Sequence, residues 1–274
     1  MPPLIGKGLA DAAAVAALME ALPIYYGKIY DLDQLKQLLI ERLPLSPAGV
    51  LEAFFAAARI GADKPGAVGG HKMPSEWPYV ATWRRWFPDA KYLHVVRHPL
   101  DSTASMVQHQ LQRYPTTPML GIWQWRKAFR SIRRQGAELG PDRYHMVKYE
   151  DLVANPESVL SEASRFLGVS TTHVAAMIDY TADTRTNTQI DPGAHMAQTN
   201  APLTTARIGR TDYGPEQAAR LSHLCRRELA ELGYDWRGGD SPGAAFRLGA
   251  GAACAGLDVA WAGLRAARKL RGQL

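Results

Sequence analysis

The segment Lys91–Ser105, KYLHVVRHPLDSTAS, constrains the fold of this chain more than any other stretch. Leu93, Val95 and Val96 form a β-rich apolar run, which predicts a short buried strand. Pro99 and Asp101 then open a helix. Proline has no N–H to lose in a first turn, and the Asp carboxylate accepts backbone donors that the turn leaves unpaired. Arg97 leaves the carboxyl end of the strand, and Ser105 lies about one turn into the helix. Both side chains therefore converge on an anion held near the helix N-terminus, where N–H groups and the dipole favour negative charge. Arginine brings a planar fork matched to phosphate oxygens, and serine a hydroxyl donor. Taken alone, the segment also fits an ordinary strand-to-helix junction of some other α/β protein.

The rest of the chain extends this pattern. Helices are expected near 9–22, 31–42, 46–60, 76–86, 100–113, 117–139, 156–167, 171–181 and 216–232. Short strands are expected near 67–71, 92–96 and 143–148. This alternation predicts an α/β fold, a parallel sheet flanked by helices on both faces. Residues 182–206, rich in Thr, Asn, Asp and Pro, read as a long loop of the kind that often serves as a lid. Residues 1–237 form one expected α/β domain. From Gly238 the composition turns to Ala, Gly and Arg, which predicts a linker and an appended basic amphipathic helix over 244–271. Leu257, Trp261 and Leu264 make its apolar stripe. Docking on the domain, pairing with another subunit and contact with an anionic membrane surface are all open to it.

Two further segments share the chemistry of the first. Met146-Val147-Lys148-Tyr149-Glu150-Asp151-Leu152 reads as a strand end, after which Asn155-Pro156 opens a helix that Gly168 closes. Ala206-Arg207-Ile208-Gly209-Arg210 reads as a basic loop. With Arg97, Pro99, Asp101 and Ser105, these segments resemble, in the same chain order, the sulfotransferases that use 3′-phosphoadenosine 5′-phosphosulfate (PAPS), of the bacterial, Golgi-like type. The resemblance implies that Arg97 and Ser105 bind the donor's 3′-phosphate and that Tyr149 lies near its adenosine. It also implies that Arg210, with Arg207 as substitute, covers the phosphate. The family usually continues Ile-Gly-Arg with Trp-Arg, where this chain has Thr211-Asp212.

The reacting end is carried by Gly69-Gly70-His71-Lys72-Met73-Pro74. The resemblance matches Lys72 to the family's lysine. A fixed ammonium there would stabilise charge developing in a loose sulfuryl-transfer state more than charge in the ground state. His71 is the expected alternative for the general base, since imidazole suits proton transfer near neutral pH. The family's catalytic histidine follows its lysine by two residues, however, and Pro74 stands there. Strand neighbours also point to opposite faces, which favours a packed role for His71. Glu20 is a weaker carboxylate candidate.

No loop of the type Gly-x-x-Arg-Ser-Gly-Thr-Thr, which holds the 5′-phosphosulfate in the family, occurs in residues 1–274. The expectation is a sulfotransferase fold missing its first strand and that loop, to be checked by reading the coding DNA upstream of Met1. A divergent relative that binds a 3′-phosphoadenosine nucleotide or a protein partner without turnover is the alternative. The net charge of +6 favours anionic ligands, yet no nucleic-acid-binding motif accompanies it. Arg126, Arg130 and Arg133 line one helix face and read as a solvated stripe. Cys225 and Cys254 show neither metal spacing nor a disulfide framework, so no metal is expected. With no signal peptide or apolar run of transmembrane length, the expected location is cytoplasmic. The expected acceptor is a small molecule, glycan or lipid.

Overall fold

A computed structural model of the chain describes residues 5–22, 30–61, 67–72, 74–108, 117–178, 205, 208–209 and 212–270. The chain divides into two compact units. One reaches to Asp89 and takes in the end of the C-terminal helix from Ala262; the other runs from Ala90 and ends at Trp261.

The first unit is helical. Helices α1 (Ala12–Ala21), α2 (Leu32–Glu41) and α3 (Pro47–Gly61) lead to a 3-10 segment, Pro74–Tyr79, and then α4 (Val80–Trp86). Asp11 caps α1 by accepting the Ala14 N–H at 2.8 Å, and Asp31 caps α2 through Asp33 and Gln34. Val15, Leu35, Leu39, Val50 and Phe54 meet in its core. Residues 67–72 form neither strand nor helix, which corrects the strand expected near 67–71. Two consecutive glycines weaken a strand there, and Val68 is 74% exposed, so no burial holds an extended pairing. Pro78 explains why the helix expected over 76–86 opens as a 3-10 segment.

The second unit holds the sheet. Strand β1 (Tyr92–Val96) pairs in parallel with β2 (Tyr144–Lys148), with Val95 opposite Val147. Between them run α5 (Pro99–Gln108) and α6 (Pro118–Leu139), and after β2 come α7 (Tyr149–Ala154), α8 (Pro156–Leu167) and α9 (Val174–Ile178). Then follow α10 (Pro215–Leu224), α11 (Arg226–Leu232) and α12 (Ala244–Leu270). Helix α6 lies on one face of the sheet, where Val96 and Met146 pack with Phe129. Helix α8 lies on the other, with the Phe166 ring 5.2 Å from His145.

Helices thus occupy both faces, but the sheet has two strands among the described residues, fewer than expected. Among the described residues, α8 covers its face over β2 and leaves it open over β1. Leu93 and Val95 on β1 stay 39% and 54% exposed, against the expectation that they are buried. The helix expected over 216–232 breaks at Cys225, whose thiol turns back onto the carbonyls of Leu221 and Ser222. Helix α8 starts at Pro156 and ends at Gly168 in the left-handed conformation, as its sequence predicts. The loop expected over 182–206 falls, apart from Thr205, outside the described residues. Among the described residues, no helix is long and apolar enough to cross a membrane.

Candidate functional site

Arg97 and His98 form the turn between β1 and α5, and three elements hold that turn. The Trp125 indole N–H, on α6, donates to the Arg97 carbonyl at 3.2 Å. Glu150, in the first turn of α7, accepts the His98 backbone N–H at 2.8 Å through one carboxylate oxygen. Its other oxygen accepts the Tyr234 hydroxyl at 2.6 Å. Tyr234 is delivered there because α11 ends at Gly233 in the left-handed conformation, turning the chain back. Glu150 thus ties the end of β1 to the start of α7 and to the chain after α11.

The same turn is capped from within. His98 is 2% exposed, and its Nδ1 accepts the Leu100 N–H at 3.2 Å. That bond leaves the proton on Nε2, which donates to the Asp235 carbonyl. Burial, reinforced by Arg237, pushes the His98 pKa down, so the ring stays neutral. This corrects the role expected of Asp101: His98 caps α5 and occupies a helix-end donor. The Asp101 carboxylate instead forms a two-pronged ion pair with Arg237 and accepts the Gly209 N–H at 3.1 Å.

Several residues singled out from the sequence meet here. The Arg97 guanidinium lies over the Tyr149 ring, 4.9 Å from its centroid. A cation over an aromatic face is attracted by the ring quadrupole, so Tyr149 orients the fork of Arg97. Ser105 is half-buried on α5, one turn beyond Asp101 on the same helix face. Arg207 and Arg210 lie outside the described residues. The stripe of Arg126, Arg130 and Arg133 is not merely solvated, because Arg130 pairs with buried Glu228 and Arg133 with Glu231 on α11. A cavity of about 140 Å³ lies among Arg126, Arg130, Arg226 and Arg227.

His71 and Lys72 belong to the first unit, and both are exposed. The His71 ring packs on Trp83 with centroids 4.7 Å apart. A Cβ on Gly69 would meet the Phe55 ring at 2.8 Å, so glycine lets this segment run close against α3. Since the segment is not a strand, alternation does not force His71 and Lys72 apart. Glu20 is exposed near the end of α1. Glu150 and His98 stand inside segments that the sequence singles out, but nothing local gives either a task. Trp125, Tyr234 and Arg237 lie far from the turn along the chain, and no local signal links them to it.

The model of a family described as the sulfotransferase family matches residues 10–173, which include β1, its turn, Ser105 and Tyr149. The chain belongs to the sulfotransferase family. Among solved structures it is similar to the sulfotransferase domain from the curacin biosynthetic pathway, at 19% identity and a TM-score of 0.58, over 85% of this chain and 86% of that one. That likeness is one of fold. It is also similar to the sulfotransferase domain from the Synechococcus PCC 7002 olefin synthase, at 26% identity and a TM-score of 0.50, over 73% of this chain and 75% of that one. No curated protein matches it to the same standard. Sulfotransferase membership makes this chain an enzyme of sulfuryl transfer, with PAPS as the donor the family implies.

Proposed function

We propose that the turn after β1 binds the 3′-phosphate of PAPS, with Arg97 and Ser105 as its contacts. The observation that carries this is the fixed position of Arg97, whose guanidinium rests on Tyr149 while Trp125 and Glu150 hold its backbone turn. A preoriented fork loses little freedom on meeting a phosphate, and its charge-assisted bonds are the strong ones. His98 and Glu150 already use two of the amides near the start of α5, which shifts the burden of recognition to the side chains of Arg97 and Ser105. Tyr149 serves the site by orienting Arg97 and flanks the adenosine from there. Arg210 completes the phosphate contacts.

PAPS supplies the sulfuryl group. In this reading the Lys72 ammonium stabilises the charge that develops as the group leaves, and its test is turnover against donor binding. His71, held by Trp83 yet exposed, is the reserve base for the acceptor's proton. The acceptor is a small molecule, glycan or lipid bearing a hydroxyl or amine. Helix α12 docks on its own unit up to Trp261, where Asp258 accepts the Trp123 indole N–H at 3.0 Å and pairs with Lys127. Its exposed side, with Leu248 and Val259, is left as a subunit or membrane-surface contact.

Titration with adenosine 3′,5′-bisphosphate tests the phosphate assignment. Arg97→Ala should remove charge-assisted hydrogen bonds of about 1.5–3 kcal/mol each, a loss of at least tenfold in affinity. Equal affinity of variant and wild type would exclude Arg97 from the donor site.

A further inference from the structure

The Asp101 side chain is only 1% exposed, and it stands one helical turn before Ser105 on the same face of α5. A bare carboxylate at that position would oppose any anion gathered by Arg97 and Ser105. It is not bare. Both of its oxygens meet the Arg237 guanidinium, and one also accepts the Gly209 N–H.

Arg237 arrives there on a prepared backbone. Its carbonyl accepts the Ser222 hydroxyl at 2.9 Å, and its own N–H reaches the same oxygen at 3.3 Å. Ser222 is fully buried. The next residue, Gly238, has φ of 108°, and a Cβ there would fall 2.2 Å from the Ala219 nitrogen. No other residue type fits that approach, so the chain is pinned against α10 where Arg237 departs. Three segments distant in sequence, at 101, 209 and 237, therefore meet in one charged junction at the anion-facing end of α5.

We infer that Arg237 is a positioning residue for the donor's phosphate: it cancels the charge of Asp101 and, through Asp101, seats the Gly209 turn, without touching the donor. The inference rests on the proposed phosphate site. It assigns two tasks that substitutions separate. Asp101→Asn keeps an oxygen for the Gly209 N–H and removes the charge. Arg237→Gln removes the neutralising cation and leaves the carboxylate.

The test is the affinity of the full chain for adenosine 3′,5′-bisphosphate, measured by titration calorimetry for wild type, R237K, R237Q, D101N and the double variant D101N/R237Q. R237Q should weaken binding about tenfold or more, because a unit charge a helical turn away, buried as Asp101 is, is poorly screened. R237K, which keeps the cation, should stay within about threefold of wild type, since the surviving term is the charge. The double variant should recover most of the loss, because no carboxylate remains to repel the phosphate. In turnover, KM for PAPS should rise in R237Q while kcat holds.

A merely structural pair gives the reverse order, with the double variant as weak as R237Q or weaker, and that result overturns the inference. Wild-type affinity in R237Q overturns it too. If R237Q does not fold, comparison of D101N and the double variant with wild type still decides: loss of affinity in both rejects the electrostatic role, and retention in both supports it. Failure of the wild type itself to bind the nucleotide refutes the underlying phosphate site instead.

Discussion

Replacing Glu150 with alanine should loosen the turn that carries Arg97. The carboxylate accepts two hydrogen bonds, from the His98 N–H at 2.8 Å and from the Tyr234 hydroxyl at 2.6 Å. Bonds to a charged acceptor contribute about 1.5–3 kcal/mol each, giving a ceiling near 6 kcal/mol. Glu150 is half-buried, so water replaces part of what is lost. The expected destabilisation is therefore about 2–4 kcal/mol in urea unfolding. Glu150→Gln is the informative companion. Its carbonyl oxygen can keep the His98 N–H, and its amide can donate to the Tyr234 oxygen if the phenol reverses its role. Only the charge is then lost, and about 1 kcal/mol should separate it from wild type. Nucleotide affinity should follow the same order, with alanine weakest. A Glu150→Ala protein within about 0.5 kcal/mol of wild type would show that the bridge does not hold the turn.

Three other outcomes follow from the same physics. Lys72→Ala should lower kcat for PAPS-dependent transfer far more than it weakens nucleotide binding, and normal turnover would remove Lys72 from the chemistry. Gly121→Ala would put a Cβ 2.6 Å from the buried Thr103 methyl where α5 crosses α6; overpacking should cost about 1–3 kcal/mol, read as a fall in Tm. Burial, aided by Arg133, lowers the His94 pKa to about 4, so below its ordinary value of 6.5 the unfolded chain takes up the proton first. The stability present above pH 6.5 should then fall by about 3 kcal/mol as the pH drops through 4, and His94→Gln should flatten that slope in pH-dependent unfolding.

Much of the local structure was legible in residue order. The apolar run before Arg97 became β1, Asn155-Pro156 and Gly168 bounded α8, and the helix expected over 117–139 became α6. Each depends on groups within a few residues, where proline, glycine and capping side chains act on their own turn. The break at Cys225 was not legible, because the apolar face of the helix continues across it. Strand pairing was harder still. Ala67-Val68 has the composition of a strand but no covering partner among the described residues, and Leu93 and Val95 have strand character yet keep an open face.

The sequence by itself determined that this chain has a strand, a turn with Arg97 and a helix with Ser105, and with them the family. Those features lie within fifteen consecutive residues, and their chemistry is local. Only the tertiary structure decided what makes the turn usable. Trp125, Glu150, Tyr234 and Arg237 reach it across separations of 28 to 136 residues, and Tyr149 lies beneath Arg97 only because β2 pairs in register with β1. A side chain's partners at such distances follow from how helices and strands bury their apolar faces. Asp101 shows the difference most plainly: one residue in a motif suggests a helix cap, and the folded chain makes it the counter-charge of an arginine near the far end of the sequence.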